Sequence, residues 1–194
     1  MLALAHQIAS KHQTTIDIAK ACFEWVRDEI HHSYDYQMNP VTCRASDVLK
    51  YKTGYCFAKS HLLAALLRAN QIPVGLCYQR LTIDEPPAAN QQDRSVPCTL
   101  HGLNAIFLPE IGWYRVDARG NRDGINAQFT PPQEQLAYDI RSPQEANFPN
   151  IFAEPLSVVV DVLQSFTKWE EVLLHLPDIS PEGQSPDPLD EKYF

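Results

Sequence analysis

The stretch Cys56 to Ala69 constrains this chain more than any other. Phe57, Ala58, Leu62, Leu63, Ala65, Leu66 and Leu67 recur at spacings that leave a helix here apolar on nearly every face. Such a helix has no side to offer solvent, so other structure must pack around it. Gln71-Ile72-Pro73 ends it, and Gly54 lies just before it. The fold has to be assembled around this segment.

The flanking patterns say what surrounds it. Thr14 can cap a helix from Thr15 to about Ile30, with Asp17 completing a weak capping box. Ile16, Ala19, Phe23, Val26 and Ile30 fall on one face of it. A polar, aromatic linker is expected from His31 to Pro40, with His31-His32 read as a solvated pair past the helix end. Ser46 is placed to cap a short helix from Asp47 to Lys52, with Gly54 as its stop.

Beyond the apolar helix, Val74 to Leu81 reads as a strand and Thr82 to Pro97 as a polar, proline-containing loop. Leu100 to Leu108 and Gly112 to Ala118 read as two strands of a hairpin joined by Pro109-Glu110-Ile111-Gly112. Asn121 to Asn150 has the Pro, Gln and Asn content of a covering segment. Pro155 is expected to open a helix running to about Leu174, and the acidic tail from Ser180 to fray. The order predicts an α+β fold, a central buried helix packed on an antiparallel sheet. One domain is expected over 1–178, with a core at about 45–118, a covering segment and helix at about 121–176, and a tail at 179–194.

Composition narrows the function. A formal charge of -8 with no block of Lys or Arg argues against nucleic acid, which needs a basic face. No apolar run approaches the roughly 18 residues of a membrane span. His6, Gln7, Ser10 and Lys11 break up the N-terminal apolar residues, unlike a secretory signal, so a cytoplasmic setting is expected. Cys22, Cys43, Cys56, Cys77 and Cys98 are odd in number and widely spaced, which is not a disulfide framework. Cys98-x-x-His101 has two zinc-ligating residue types, but no paired motif completes a set, and no metal is expected. Gly120 to Gly124 lacks phosphate-loop spacing and reads as a turn, and no cofactor is expected.

Three residues carry the chemistry to be weighed. Cys56 opens the apolar helix, where unpaired N–H groups and the helix dipole favour a thiolate. Taken alone, a cysteine there is equally a small buried hydrophobe. His101 and Asp117 lie on the two strands of the hairpin. With a three-residue loop, Leu108 faces Gly112 and Leu103 faces Asp117. His101 is then the diagonal neighbour of Asp117 on the same face, ~7–8 Å away at the backbone. A four-residue loop would put the two on opposite faces. Taken alone, His101 is also a strand-end histidine and Asp117 a turn-capping acid.

The residues Ala45-Ser46-Asp47-Val48-Leu49, Gly54-Tyr55-Cys56 and His61 to Val74, then His101, then Gly112-Trp113-Tyr114-Arg115-Val116-Asp117, resemble the core of the transglutaminase-like superfamily, whose sites are papain-like. The resemblance implies Cys56 as nucleophile, His101 as base and Asp117 as the orienting acid. It departs from the family pattern at Leu103, where a Trp is common, and at Ala118, where a Pro is common. The implied reaction is acyl-enzyme chemistry on an amide or peptide carbonyl, with hydrolysis favoured over transfer to an amine. The implied partner is a peptide, a protein or a small amide. The alternative is a binding module that keeps the fold without turnover. Tyr34, Tyr36 and Gln37 are candidates for a second oxyanion donor.

Overall fold

The computed structural model describes residues 1–83 and 97–179. The expected tail from Ser180, and most of the expected loop between Thr82 and Pro97, lie outside the described residues.

The chain opens with α1 (Leu2–Ala9), which the broken apolar pattern of the first residues does not announce. Helix α2 (Thr15–Glu29) starts where expected, with the Thr14 hydroxyl accepting the Asp17 N–H at 3.1 Å. It buries Ala19, Cys22, Phe23 and Val26. The expected linker is ordered: β1 (His31–His32) is followed by a single helical turn, α3 (Ser33–Tyr36). Next, α4 (Ala45–Tyr51) begins two residues before the expected start at Asp47 and ends at Lys52 in the left-handed region (φ 57°), not at Gly54.

Gly54 belongs to β2 (Thr53–Gly54), which pairs in parallel with β1. A Cβ there would lie 3.0 Å from Ala58 Cβ and 3.1 Å from Thr42 Oγ1, so the glycine lets this strand press against the next helix. That helix is α5 (Cys56–Ala69), buried along its length as its sequence requires.

The strands β3 (Val74–Thr82), β4 (Cys98–Leu108) and β5 (Gly112–Val116) form one antiparallel sheet. The register from Leu108↔Gly112 to Asn104↔Val116 is that of the three-residue loop. A separate hairpin, β6 (Gln128–Thr130) and β7 (Gln133–Gln135), follows, and β8 (Ala146–Asn147) then adds to the β3 edge. The covering segment is therefore partly built from strands. It is tied down by the Arg115 guanidinium on Glu134 at 2.7 Å and by the Tyr114 hydroxyl on the Gln133 carbonyl at 3.1 Å.

The single helix expected from Pro155 is two: α6 (Ser157–Ser165) and α7 (Trp169–Leu173), separated by extended Phe166 (φ -124°, ψ 153°). The break is held by one distant contact and one local cap. Thr167 gives its carbonyl to the Val41 N–H at 2.9 Å, and Glu171 accepts the Lys168 N–H at 3.0 Å. Among the described residues, no helix is long and apolar enough to cross a membrane.

On α5, Asn104 Nδ2 from β4 donates to the Ser60 carbonyl at 3.1 Å, so helix and sheet are hydrogen-bonded as well as packed. Lys59, fully buried, reaches from α5 to the C-terminal end of α2, where its Nζ donates to the carbonyls of Arg27 and Ile30. A helix C-terminus has unsatisfied carbonyls and the negative end of the dipole, so an ammonium suits it. Burial, and then the nearby Arg119 charge, nevertheless pull the Lys59 pKa from 10.5 to about 7, against the attraction of Asp117, Asp28 and Asp35.

Because the unfolded chain binds this proton more tightly, the Lys59 contribution to stability becomes more favourable as pH rises from about 7 to 10.5. Urea unfolding of wild type and Lys59→Met should show their stability difference shifting towards wild type across that window. A difference independent of pH would contradict the buried, weakened ammonium.

Candidate active site

Cys56 is the first residue of α5, and no side chain caps the helix, which leaves its first-turn N–H groups facing the site. The preceding Tyr55 is anchored by its hydroxyl, which donates to the Trp169 carbonyl at 2.6 Å. The thiol is held close to β4: the Gly102 N–H donates to Cys56 Sγ at 3.4 Å. Only glycine permits this approach. A Cβ at position 102 would sit 2.7 Å from Phe57 Cδ1, 3.0 Å from Phe57 Cα and 3.1 Å from Phe57 N.

His101, the residue before, lies beside Cys56, close enough for the cysteine to raise the imidazole pKa. Its Nε2 lies 2.7 Å from Asp117 Oδ2. The three residues picked out in the sequence thus come together, with His101 hydrogen-bonded to Asp117 and adjacent to Cys56. All are buried, with Cys56 at 8% exposure, His101 at 4% and Asp117 at 0%.

Asp117 is satisfied on both oxygens. Oδ1 accepts the Arg119 N–H at 3.1 Å, and Oδ2 accepts the Ala137 N–H at 3.1 Å in addition to the imidazole. Burial raises its pKa, but the His101 charge and these donors win, and the carboxyl sits below its usual range. Burial pulls His101 the other way from its partners. The Asp117 charge, then Cys56 and the hydrogen bonds from both, prevail and raise the imidazole to about 10.

Several surrounding groups escaped the sequence reading. The Tyr138 ring stands edge-on to His101, with centroids 5.0 Å apart and an interplanar angle of 87°. Behind it lies the Arg119 guanidinium, 5.8 Å from that ring centroid. Arg119 is nearly buried and forms a two-pronged ion pair with Asp35 at 2.7 and 2.9 Å. Gln79, opposite His101 in the register, donates from Nε2 to the Tyr138 carbonyl at 3.1 Å and to Asn147 Oδ1 at 2.8 Å. None of these sits in a motif. The one local signal was the Arg119 charge, two residues after the candidate acid.

One other expectation needs correction. His32 is not solvated: it is 6% exposed, 3.6 Å from Asp35 Oδ2 and edge-on to Tyr55. Burial, then the charges of Arg119 and Lys59, push it well below the ordinary histidine range. Tyr34 and Tyr36 are exposed, packing on Trp169 and His31 respectively, and Gln37 is exposed as the left-handed cap of α3. Leu103, in the position of the family's common Trp, joins Cys77 and Ala105 in a small apolar cluster with Trp113, Leu136 and Ile151. Cys98 and His101 share one strand at an odd spacing and so project to opposite faces. Among the described residues, no three His, Cys, Asp or Glu side chains are grouped to hold a metal.

Residues 2–118 match the transglutaminase-like superfamily, and the chain belongs to it. The match takes in α1 and α2, ahead of the 45–118 core expected from the motifs. Among solved structures, the chain is similar to a candidate cysteine protease from Cytophaga hutchinsonii (21% identity, 61% of this chain and 36% of that one, TM-score 0.45). It is also similar to the periplasmic domain of TgpA from Pseudomonas aeruginosa (23% identity, 60% and 41%, TM-score 0.44) and to a TGase (14% identity, 68% and 34%, TM-score 0.45). The matched part thus spans well under half of each of those proteins. No curated protein matches the chain. Family membership makes cysteine-based acyl transfer the chemistry to test.

Two measurements check the geometry. Gly102→Ala should cost about 1–3 kcal/mol in urea unfolding, as overpacking does, because two of the atoms it would strike are backbone. A neutral substitution would show that β4 and α5 are not in this contact. The second is pH dependence. A folded pKa raised above 6.5 means that the His101 contribution is complete below pH 6.5 and is lost as pH rises through about 10. The stability gap between wild type and His101→Ala should therefore narrow over that range.

Proposed function

We propose that the chain is a cysteine-nucleophile enzyme that forms an acyl-enzyme on an amide or peptide carbonyl. Cys56 is the nucleophile, His101 the general base and then acid, and Asp117 the residue that orients the imidazole. The observation that carries the reading is Cys56 at an uncapped helix N-terminus, beside a His101 imidazole that is hydrogen-bonded to Asp117.

At neutral pH His101 already holds the proton that Cys56 gives up, and the Cys56 thiolate attacks the carbonyl carbon. The tetrahedral oxyanion develops beside the first-turn N–H groups of α5, which suit it electrostatically. Collapse expels the amine, which takes its proton from His101, and leaves a thioester. Water, deprotonated by His101, attacks the thioester and releases the acid and the free thiol. Hydrolysis is favoured because water needs no binding site of its own, whereas an acceptor amine does.

The substrate class is a peptide, a protein or a small amide. The proposal treats 1–178 as one domain, since the Ala137 N–H bonds Asp117 and the Trp169 carbonyl bonds Tyr55. It also keeps a cytoplasmic setting, in keeping with Cys22, Cys43, Cys56 and Cys77 forming no disulfide.

A second reading, a binding module without turnover, draws on the 8% exposure of Cys56. One experiment separates the two. Alkylation of Cys56 is followed against pH by mass spectrometry in wild type and His101→Ala. The enzyme reading expects fast labelling below the free-thiol pKa of ~8.5, slowed by the substitution. A Cys56 that stays inert until the protein unfolds supports the binding module.

A further inference from the structure

We infer that Tyr138 is a positioning residue: its ring holds the His101 imidazole in line between Cys56 and Asp117 and keeps water from the His101–Asp117 hydrogen bond. The catalytic consequence rests on the function proposed above; the contact itself does not.

The argument begins with the two faces of the sheet. Gly102 and Asn104 turn towards α5, where they meet Phe57 and the Ser60 carbonyl. By strand alternation His101 and Leu103 lie on the face turned away from the body of α5, and Cys56 meets His101 from the helix's first turn. That face is closed by residues beyond 118, where the family match ends. The Ala137 N–H bonds Asp117 Oδ2 at 3.1 Å, and the next residue, Tyr138, places its ring edge-on against His101 at 5.0 Å.

Tyr138 is itself held from two directions. Gln79, the cross-strand partner of His101, bonds its carbonyl at 3.1 Å. The Arg119 guanidinium, locked by Asp35, packs against its ring. A single hydrogen bond to a carboxylate fixes one point of an imidazole and leaves its tilt free. A ring at right angles removes that freedom, in a geometry aromatic pairs favour. Excluding water also strengthens the bond it covers.

The test is proton NMR of the hydrogen-bonded imidazole N–H of His101 in wild type, Tyr138→Phe and Tyr138→Leu. Wild type should show a low-field resonance in slow exchange with water. Tyr138→Phe, which restores the ring, should keep it, and Tyr138→Leu, of similar bulk without the ring, should lose it to exchange. A resonance that survives unchanged in Tyr138→Leu, or one already lost in wild type, overturns the inference.

A second measurement needs no variant. Nuclear Overhauser contacts between the Tyr138 ring protons and the His101 ring are expected in wild type, and their absence overturns the contact. The alkylation rate of Cys56 should fall about tenfold in Tyr138→Leu, as misplacement of a base does. If Cys56 is inert in wild type, the proposed function fails while the resonance still decides the role of Tyr138.

Discussion

The close approach of β4 to the first turn of α5 is the contact on which the site depends. A buried apolar helix can settle on a sheet at a range of separations, set by whichever side chains lie between. Here the spacing at one end is reduced to backbone against backbone, because Gly102 offers no side chain to hold Phe57 away. Gly54 does the same on the opposite side of that turn, against Ala58. Two glycines thus flank Cys56 and bring its sulfur to the Gly102 N–H and the His101 ring. The rest of α5, through Leu62, Leu63, Leu66 and Leu67, supplies the burial that keeps the helix from drifting out of this position.

Around that contact the fold buries several charges, and the pattern of partners sorts their protonation. Asp117 faces His101 and two backbone donors; Arg119 faces Asp35; Lys59 faces the last carbonyls of α2. An unpaired buried charge costs far more than a paired one, and each of these has its complement. The two buried histidines are driven apart. His101, beside a carboxylate, is pushed up, whereas His32, among the cations Arg119 and Lys59, is pushed down. Histidines with opposite shifts so close together have different capacities: only His101 is disposed to hold a proton at neutral pH.

The parts of this arrangement that were legible in the sequence are those set by local pattern. The all-round apolar character of 56–69 gave a buried helix and Thr14 gave its neighbour's cap, while the hairpin was legible but its register was not: of the two loop lengths the sequence left open, the structure has the three-residue one, which puts His101 and Asp117 on one face. The misses have a common physical origin in contacts between distant segments. The break at Phe166 has one local mark, Glu171 capping the Lys168 N–H, but its other anchor, the Val41 N–H on the Thr167 carbonyl, is more than 120 residues away in the chain. His32 reads as a solvated residue until the parallel pairing of His31–His32 with Thr53–Gly54 draws it inside. Lys59 looks like a polar interruption of an apolar helix, and its partner carbonyls are 29 and 32 residues away in the chain.

The covering segment follows from the same geometry. A sheet with a helix on one face only leaves its other face wet, and a wet face is a poor place for a carboxylate that must hold an imidazole. In this chain Asp117 and His101 both belong to that second face. The segment that closes it brings the Ala137 N–H to the acid and the Tyr138 ring to the base, and it is pinned through Gln79, Asn147 and Glu134 to the strands it covers. The region beyond 118 is therefore a second wall of the site, opposite the one formed by α5. The family core supplies the three residues in line, and this wall supplies the dry, fixed surroundings in which their hydrogen bonds are strong.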